Sequence, residues 1–377
     1  MIKRFLAVAL VLAVARDASA QRQNVRVENT LSIMRRDETI ALAWSAAVGR
    51  VTDPVTGKEI QSQVLDSNAD GRADSLLFQL TLAEGEVRTV VVEAAASTSK
   101  VTPRVHAKFV AEREDVAWES DRVAFRIYGK KLWELENLHT NGIDVWTKRT
   151  RKLVLDAWYD KGHDGYHVDV GEGADFFQVG ESLGGGGTAI WRNNQIYRGD
   201  NFLEHRIIVD GPIRAIFELN YGAIDAAGVK ATERKRVSID AGQYFFRQES
   251  TYTTAEKGGL EIAVGLVKRP GMVGSTSKVR GWSWVTTWAP IEPRTHGHGL
   301  LGTAVLIDKK SMVDLKETDD HYLAIGRAMP GQAMVSYVGS GWTSSGDFRS
   351  AEDWWAEVDN FAQRLSSPVK VSIEAAK

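Results

Sequence analysis

Cysteine is absent from this chain of 377 residues. Its absence removes disulfides, thiolate metal sites, thiol nucleophiles and attachment through a lipid-modified cysteine. Stability must therefore come from a buried core, which a chain of this length can build as one large domain or as a small domain plus a large one. Long apolar runs are also missing, apart from Phe5 to Ala15, which is too short to span a bilayer. With Lys3 and Arg4 before it and Ala18-Ser19-Ala20 after it, that run reads as an export signal over residues 1–20. The expectation is a soluble periplasmic or secreted protein, with no membrane insertion. An excess of positive charge is lacking as well: 47 Lys and Arg face 49 Asp and Glu, for a net charge of −2. The leader alone carries a surplus of two positive charges, so the remainder is more acidic still. That balance argues against nucleic acid or an anionic membrane as partner, but leaves an anionic small substrate open.

Glycine (34) and tryptophan (12) are abundant and helical patterns are few, which points to a β-rich chain of short strands and tight turns. A first unit is expected over residues 21–100, with strands at Ile40 to Trp44, Leu76 to Leu80 and Val87 to Val92. Ala94 to Lys100, small and polar, marks its end, and residues 101–377 form the second unit. There, Arg206 to Val209 and Ile213 to Tyr221 flank a turn at Asp210-Gly211-Pro212, and Lys230 to Ile239 and Gln243 to Thr253 repeat the arrangement. One helix is evident. Ser350 can cap it, Trp354, Val358, Phe361 and Leu365 build its apolar face, and Pro368 ends it.

Asp66, Asn68, Asp70, Arg72 (through its carbonyl) and Asp74 follow the spacing of a calcium loop, with Gly71 at the sharp turn. Leu77 stands where an EF-hand has glutamate and a strand follows, so a structural Ca²⁺ site weighs against a metal-free hairpin of Asx-turns. Trp282, Trp284 and Trp288 share parity on one strand and, with Trp342, form either core or a platform for sugar rings. His296 and His298 flank Gly297 and could bind a ligand or a metal only with further groups nearby.

Most chemistry is concentrated between Trp158 and Gly187. Tyr159, His163, Tyr166, His167, Asp169, Glu172 and Asp175 fall within it, and Gly184 to Gly187 close it. Gly162, Gly165, Gly171 and Gly173 disfavour a helix, so the expected pairing is His167 with Asp169 and Glu172 on an extended chain, rather than His163 with His167. The glycine run lacks the Lys-Ser/Thr of a phosphate loop, so it reads as room for a neighbouring strand or a ligand.

The chain resembles a family of exported bacterial proteins carrying a domain of unknown function, whose genes commonly lie beside unsaturated glucuronyl hydrolases. The likeness rests on Gly142 to Arg149, Tyr166-His167, Asp169, Gly171-Glu172-Gly173, Asp175-Phe176, Val179-Gly180, Gly184 to Gly187, Asn201-Phe202, Gly211 to Arg214, and Asp66 to Phe78. It implies an all-β fold: a small N-terminal β-sandwich, a large supersandwich similar to galactose-mutarotase-like proteins, and one C-terminal helix. It also implies an oligosaccharide substrate and no organic cofactor. In a uronate lyase, His167 or Tyr166 would be the base, and Arg206, Arg247 or Lys148 would neutralise the enolate. An epimerase or mutarotase would use Glu172 with His167, and a hydrolase two of Asp169, Glu172 and Asp175. A non-catalytic periplasmic glycan-binding protein would instead rest on the face of Trp282, Trp284, Trp288 and Trp342 and on the calcium loop. Convergence of His167, Asp169 and Glu172 with an arginine in one cleft separates these readings.

Overall fold

The computed structural model describes residues 22–279, 281–291 and 297–375, so the expected export signal and His296 lie outside the described residues. The chain is all-β with a C-terminal helix, as its composition implies. In the small N-terminal unit a five-stranded sheet runs in the order Lys370–Ala375, Gln23–Glu28, Val87–Ala94, Gly49–Thr52, Glu59–Ile60. It packs on a three-stranded sheet of Arg35–Ala43, Ser75–Leu82 and Ser62–Leu65. Alternate residues Val25, Val27, Ile40, Leu42, Val90 and Val92 face inward and form its core with Trp44 and Phe78. The unit is not confined to the first hundred residues, because its outer strand comes from the far end of the chain.

The large unit is built around a nine-stranded sheet. Eight strands run in the order Glu204–Val209, Arg214–Asn220, Val229–Asp240, Phe245–Thr254, Ala333–Trp342, Leu300–Asp308, Trp282–Pro290 and Val273–Val279. Two five-stranded sheets share one continuous hydrophobic core with it, through residues such as Trp118, Phe125 and Val145 on one and Ile190, Val264 and Ala324 on the other. The glycine run begins the strand Gly185–Arg192. A Cβ on Gly184 would strike the carbonyl of Ile143, and one on Gly186 would strike Val338. The run therefore admits neighbouring backbone, the strand alternative of the sequence reading.

Among the described residues four α-helices decorate the sheets: α1 (Lys131–Glu136), α2 (Leu155–Tyr159), α3 (His163–Tyr166) and α4 (Ala351–Ser366). Only α4 is long. The Ser350 hydroxyl accepts the Asp353 amide at 3.3 Å, and Trp354, Val358, Phe361 and Ala362 are buried. They pack on Trp284 and Trp288, and Trp354 donates to the Thr286 hydroxyl at 2.7 Å. Among the described residues no helix is long and apolar enough to cross a membrane.

A buried arginine cluster beneath a histidine–tyrosine pair

The candidate site is built on the sheet ordered Gly173–Asp175, Asp144–Lys148, Ala124–Tyr128, Asp115–Ser120, Val105–Val110. Register places Arg126 opposite Asp144, Tyr128 opposite Asp115 and Trp146 opposite Asp175. Polar side chains from four strands thus converge under α2 and α3, and Trp146, Trp158 and Tyr166 seal them from water. Glu119 fixes this cover: it accepts the amides of Val154 and Leu155 at 2.7 and 2.9 Å, ahead of α2, and binds the Lys148 ammonium at 2.5 Å.

Arg126 sits at the centre. Its guanidinium donates to Asp144 at 2.7 and 3.0 Å, to Asp175 at 2.8 Å and to the Tyr166 hydroxyl at 3.0 Å, with Asp115 at 3.7 Å. Arg113 adds a second cation 3.4 Å from Asp115, but two cations cannot hold three buried carboxylates ionised. Burial pushes the Asp115 carboxyl up to about 6. Burial, together with the charge of Asp144, raises Asp175 well above the carboxylate range.

The Tyr166 hydroxyl lies between this cluster and the surface. It accepts from Arg126 and meets His163 Nδ1 at 2.7 Å, donating or accepting there according to the imidazole tautomer. Burial raises the phenol's pKa, whereas burial and then the nearby Arg113 charge lower that of His163. The pair is therefore a neutral phenol beside a neutral imidazole near pH 7, an acid and a base in contact. Both face a cavity of about 610 Å³ that Lys108, Phe109, Arg113 and Tyr159 also line. His163 is exposed and Tyr166 is not.

The structure does not bring His167, Asp169 and Glu172 together. His167 Nδ1 lies 2.7 Å from the Asp175 carbonyl. Asp169 pairs with Arg149 and accepts the amides of Gly171 and Gly173, so it shapes the loop. Glu172 points at Lys152, 3.7 Å away. The extended-chain expectation fails at α3, where one turn seats His163 and Tyr166 three apart on one side, despite the glycines. Lys148 is fully buried on Glu119. Arg206 approaches the Ala69 carbonyl at 3.4 Å, beside the calcium-type loop. Trp288 is core under α4. Trp342 is buried too, donating to the His298 carbonyl at 2.6 Å, while Phe176 stacks on the His298 ring at 3.6 Å. Arg247 and Trp282 meet in a different cleft. Sequence reasoning missed Arg113, Asp115 and Arg126; the available signal was Arg126 interrupting the apolar strand Val123 to Tyr128.

At the calcium-type loop, Asp66 accepts the amides of Asp70 and Gly71 at 3.1 and 2.7 Å, and Asp70 accepts that of Arg72 at 2.9 Å. Ser67 and Ser75 hydroxyls occupy the two Asp74 oxygens. These are the bonds of a self-capped turn. Among the described residues no group of three or more His, Cys, Asp or Glu converges as a metal cluster.

The chain belongs to the family described as Domain of unknown function (DUF4861), matched over residues 27–371. Among its relatives is the Formosa agariphila chain called Uncharacterized protein P7, 30% identical over 400 residues that cover 98% of each chain. In shape the chain is similar to an alpha-mannosidase from Enterococcus faecalis V583, with a TM-score of 0.50 at 10% identity. A second Enterococcus faecalis structure, a glycosyl hydrolase family 38 protein, gives a TM-score of 0.51, also at 10% identity. Each covers 94% of this chain, but the chain spans only 46% and 47% of theirs. At such identity the likeness is one of fold.

Proposed function

We propose that the protein is an exported carbohydrate-active enzyme that cleaves uronate-containing oligosaccharides by β-elimination at the His163–Tyr166 pair. The observation that carries this is the 2.7 Å contact between a base and an acid at a cavity also lined by Lys108 and Arg113, paired with Asp156 and Glu136, and by Glu112 and Asp160. His163 removes the proton alpha to the sugar carboxylate, and Arg113 and Lys108 neutralise the charge that develops there. This requires the tautomer in which Nδ1–H donates to the phenol and Nε2 takes the substrate proton. The glycosidic oxygen departs with the Tyr166 phenol proton, and His163 then passes its Nδ1 proton to Tyr166. The C–H and C–O bonds break, a C=C bond forms, and the proton ends on the leaving hydroxyl. Hydrolysis is the second reading: it would draw on Glu112 and Asp160, which also line the cavity, whereas Asp144 and Asp175 are bound to Arg126 beneath it. The fold likeness to glycoside-processing proteins supports a carbohydrate substrate as analogy.

Incubation with a panel of uronate oligosaccharides is expected to raise the ultraviolet band of a double bond conjugated to the carboxylate, together with new reducing ends. Reducing ends without that band would replace elimination by hydrolysis. Because protonation disables the base, kcat/KM should rise with pH along a limb lying below 6.5, the ordinary value from which His163 is lowered.

A structural calcium belongs to the same proposal. Asp66, Asn68, Asp70, Asp74 and the Arg72 carbonyl would hold it, stiffening a loop whose Ser67 and Ala69 carbonyls already meet Arg236 and Arg206 of the large unit. A chelator should then lower the thermal midpoint by a few degrees and added Ca²⁺ restore it, with no such response in Asp70→Ala. A midpoint indifferent to both leaves the self-capped turn as the whole explanation.

A further inference from the structure

The fold brings together two imidazoles whose helical spacing the intervening glycines disfavoured, those of His163 and His167. Gly162, at a φ of 76°, turns the chain into α3, and His167 stays in the helical region at φ −84° and ψ −5°. Residues four apart on such a turn share one side of it, and the two rings lie with centroids 5.0 Å apart and planes at 85°. Each ring is anchored through Nδ1. His167 meets the Asp175 carbonyl and His163 the Tyr166 hydroxyl, both at 2.7 Å. The Tyr166 hydroxyl is held in turn by Arg126 at 3.0 Å, so both rings are fixed from the buried side. Both histidines are exposed, and among the described residues neither Nε2 hydrogen-bonds to the protein.

We infer that His163 and His167 form a site for an exchangeable transition-metal ion (Cu²⁺, Ni²⁺ or Zn²⁺), held through the two Nε2 atoms with water completing its shell. Imidazole suits these ions, whereas Mg²⁺ and Ca²⁺ take oxygen. Two imidazoles that share a tetrahedral ion through metal–nitrogen bonds of about 2.0–2.1 Å have ring centroids roughly 5 Å apart. The separation here is 5.0 Å, so the rings need little rearrangement to share an ion. A metal-binding histidine has its second nitrogen tied to an oxygen, which fixes its tautomer and its orientation. Both rings already have that anchor. Arg113, which shares the cavity wall with His163, is paired with Glu136 at 2.8 Å, so its charge does not stand alone against the ion. Among the described residues no third His, Cys, Asp or Glu joins the pair in a metal cluster. Two protein donors hold an ion that exchanges with solution. Occupancy takes Nε2 of His163, the nitrogen that removes the substrate proton, so the ion inhibits the proposed elimination rather than serving it.

The test titrates the full chain in metal-free buffer with Cu²⁺, Zn²⁺ and Mg²⁺ by calorimetry, and records electron paramagnetic resonance of the Cu²⁺ form. The wild type is expected to bind Cu²⁺ more tightly than Zn²⁺, to show no Mg²⁺ event that depends on these histidines, and to give a copper spectrum with two imidazole nitrogens. His163→Ala and His167→Ala should each weaken the Cu²⁺ event by roughly tenfold or more and remove one nitrogen, a change that a structural role would not produce. A variant lacking His296 and His298, the other close histidine pair in the sequence, should keep the event. No Cu²⁺ binding in the wild type, equal binding in both single variants, or loss of the event in the His296 and His298 variant alone would each overturn the site. Activity supplies a further arm, and only this arm rests on the proposed elimination: Cu²⁺ should inhibit the wild type and do so less in His167→Ala. Binding without inhibition would uphold the metal site and remove His163 from the role of base.

Discussion

Replacing Arg126 by methionine is expected to cost about 3–5 kcal/mol and to leave the protein unfolded or nearly so at neutral pH. The substitution is close in length and removes little packing. What it removes is the guanidinium that holds Asp144 and Asp175 and neighbours Asp115, all three almost wholly buried. Carboxylates stripped of that partner must either ionise in a dry interior or take up protons. The pH dependence follows with a definite sign. The Asp115 carboxyl is raised from 3.8 to about 6 in the folded protein, so its contribution to stability is fully present below 3.8 and is lost as pH rises through about 6. Asp175, raised further, extends the same trend upward. Without Arg126 both shifts grow, so the deficit should shrink toward acid and widen toward neutrality. Denaturant unfolding at several pH values measures this directly. A deficit that does not widen as pH rises above about 6 would show that the arginine is not what compensates these carboxyls.

The second large effect is catalytic. His163→Ala should lower kcat/KM on uronate oligosaccharides by about 10²–10⁴-fold, the usual contribution of one positioned acid–base group. Tyr166→Phe should give a loss of similar size. His163 is exposed, so its removal should shift stability by no more than roughly 0.5 kcal/mol, separating chemistry from folding. Because the proton passes between the two groups, the double variant should be little worse than either single one. Multiplicative losses would mean that the pair does not act as a unit. Full activity in His163→Ala would move the reaction away from this cavity.

How much of this was legible beforehand depended on whether the information was local. Alternation revealed strands such as Val229–Asp240, and the Ser350 cap with the spacing of Trp354, Val358 and Phe361 gave α4 nearly to the residue. Within the segment from Trp158 to Gly187 the structure pairs His163 with Tyr166, not His167 with Asp169 and Glu172. Glycine propensity argued against a helix there, and propensity lost to burial: Trp158 and Tyr166 reach the sheet through short helical turns stabilised by that packing. The Arg126 cluster was out of reach for a different reason. It joins residues 115, 126, 144 and 175 through strand register, and no spacing along the chain encodes which strands become neighbours. The calcium-type loop shows the reverse limit, since its pattern of Asp and Asn also describes a turn that satisfies its own amides.

The pairing of Gln23–Glu28 with Lys370–Ala375 carries a consequence for biosynthesis. The first strand of the chain lies between Val87–Ala94 and a strand that is made last. At about 5–20 residues per second, a ribosome needs on the order of tens of seconds to deliver that partner. Until then the small sandwich has an open edge, and its closure is the most non-local event in the molecule. Gln23 and Ala375 then lie opposite each other, so a short linker could join these two strands and new ends could be opened at an exposed turn elsewhere.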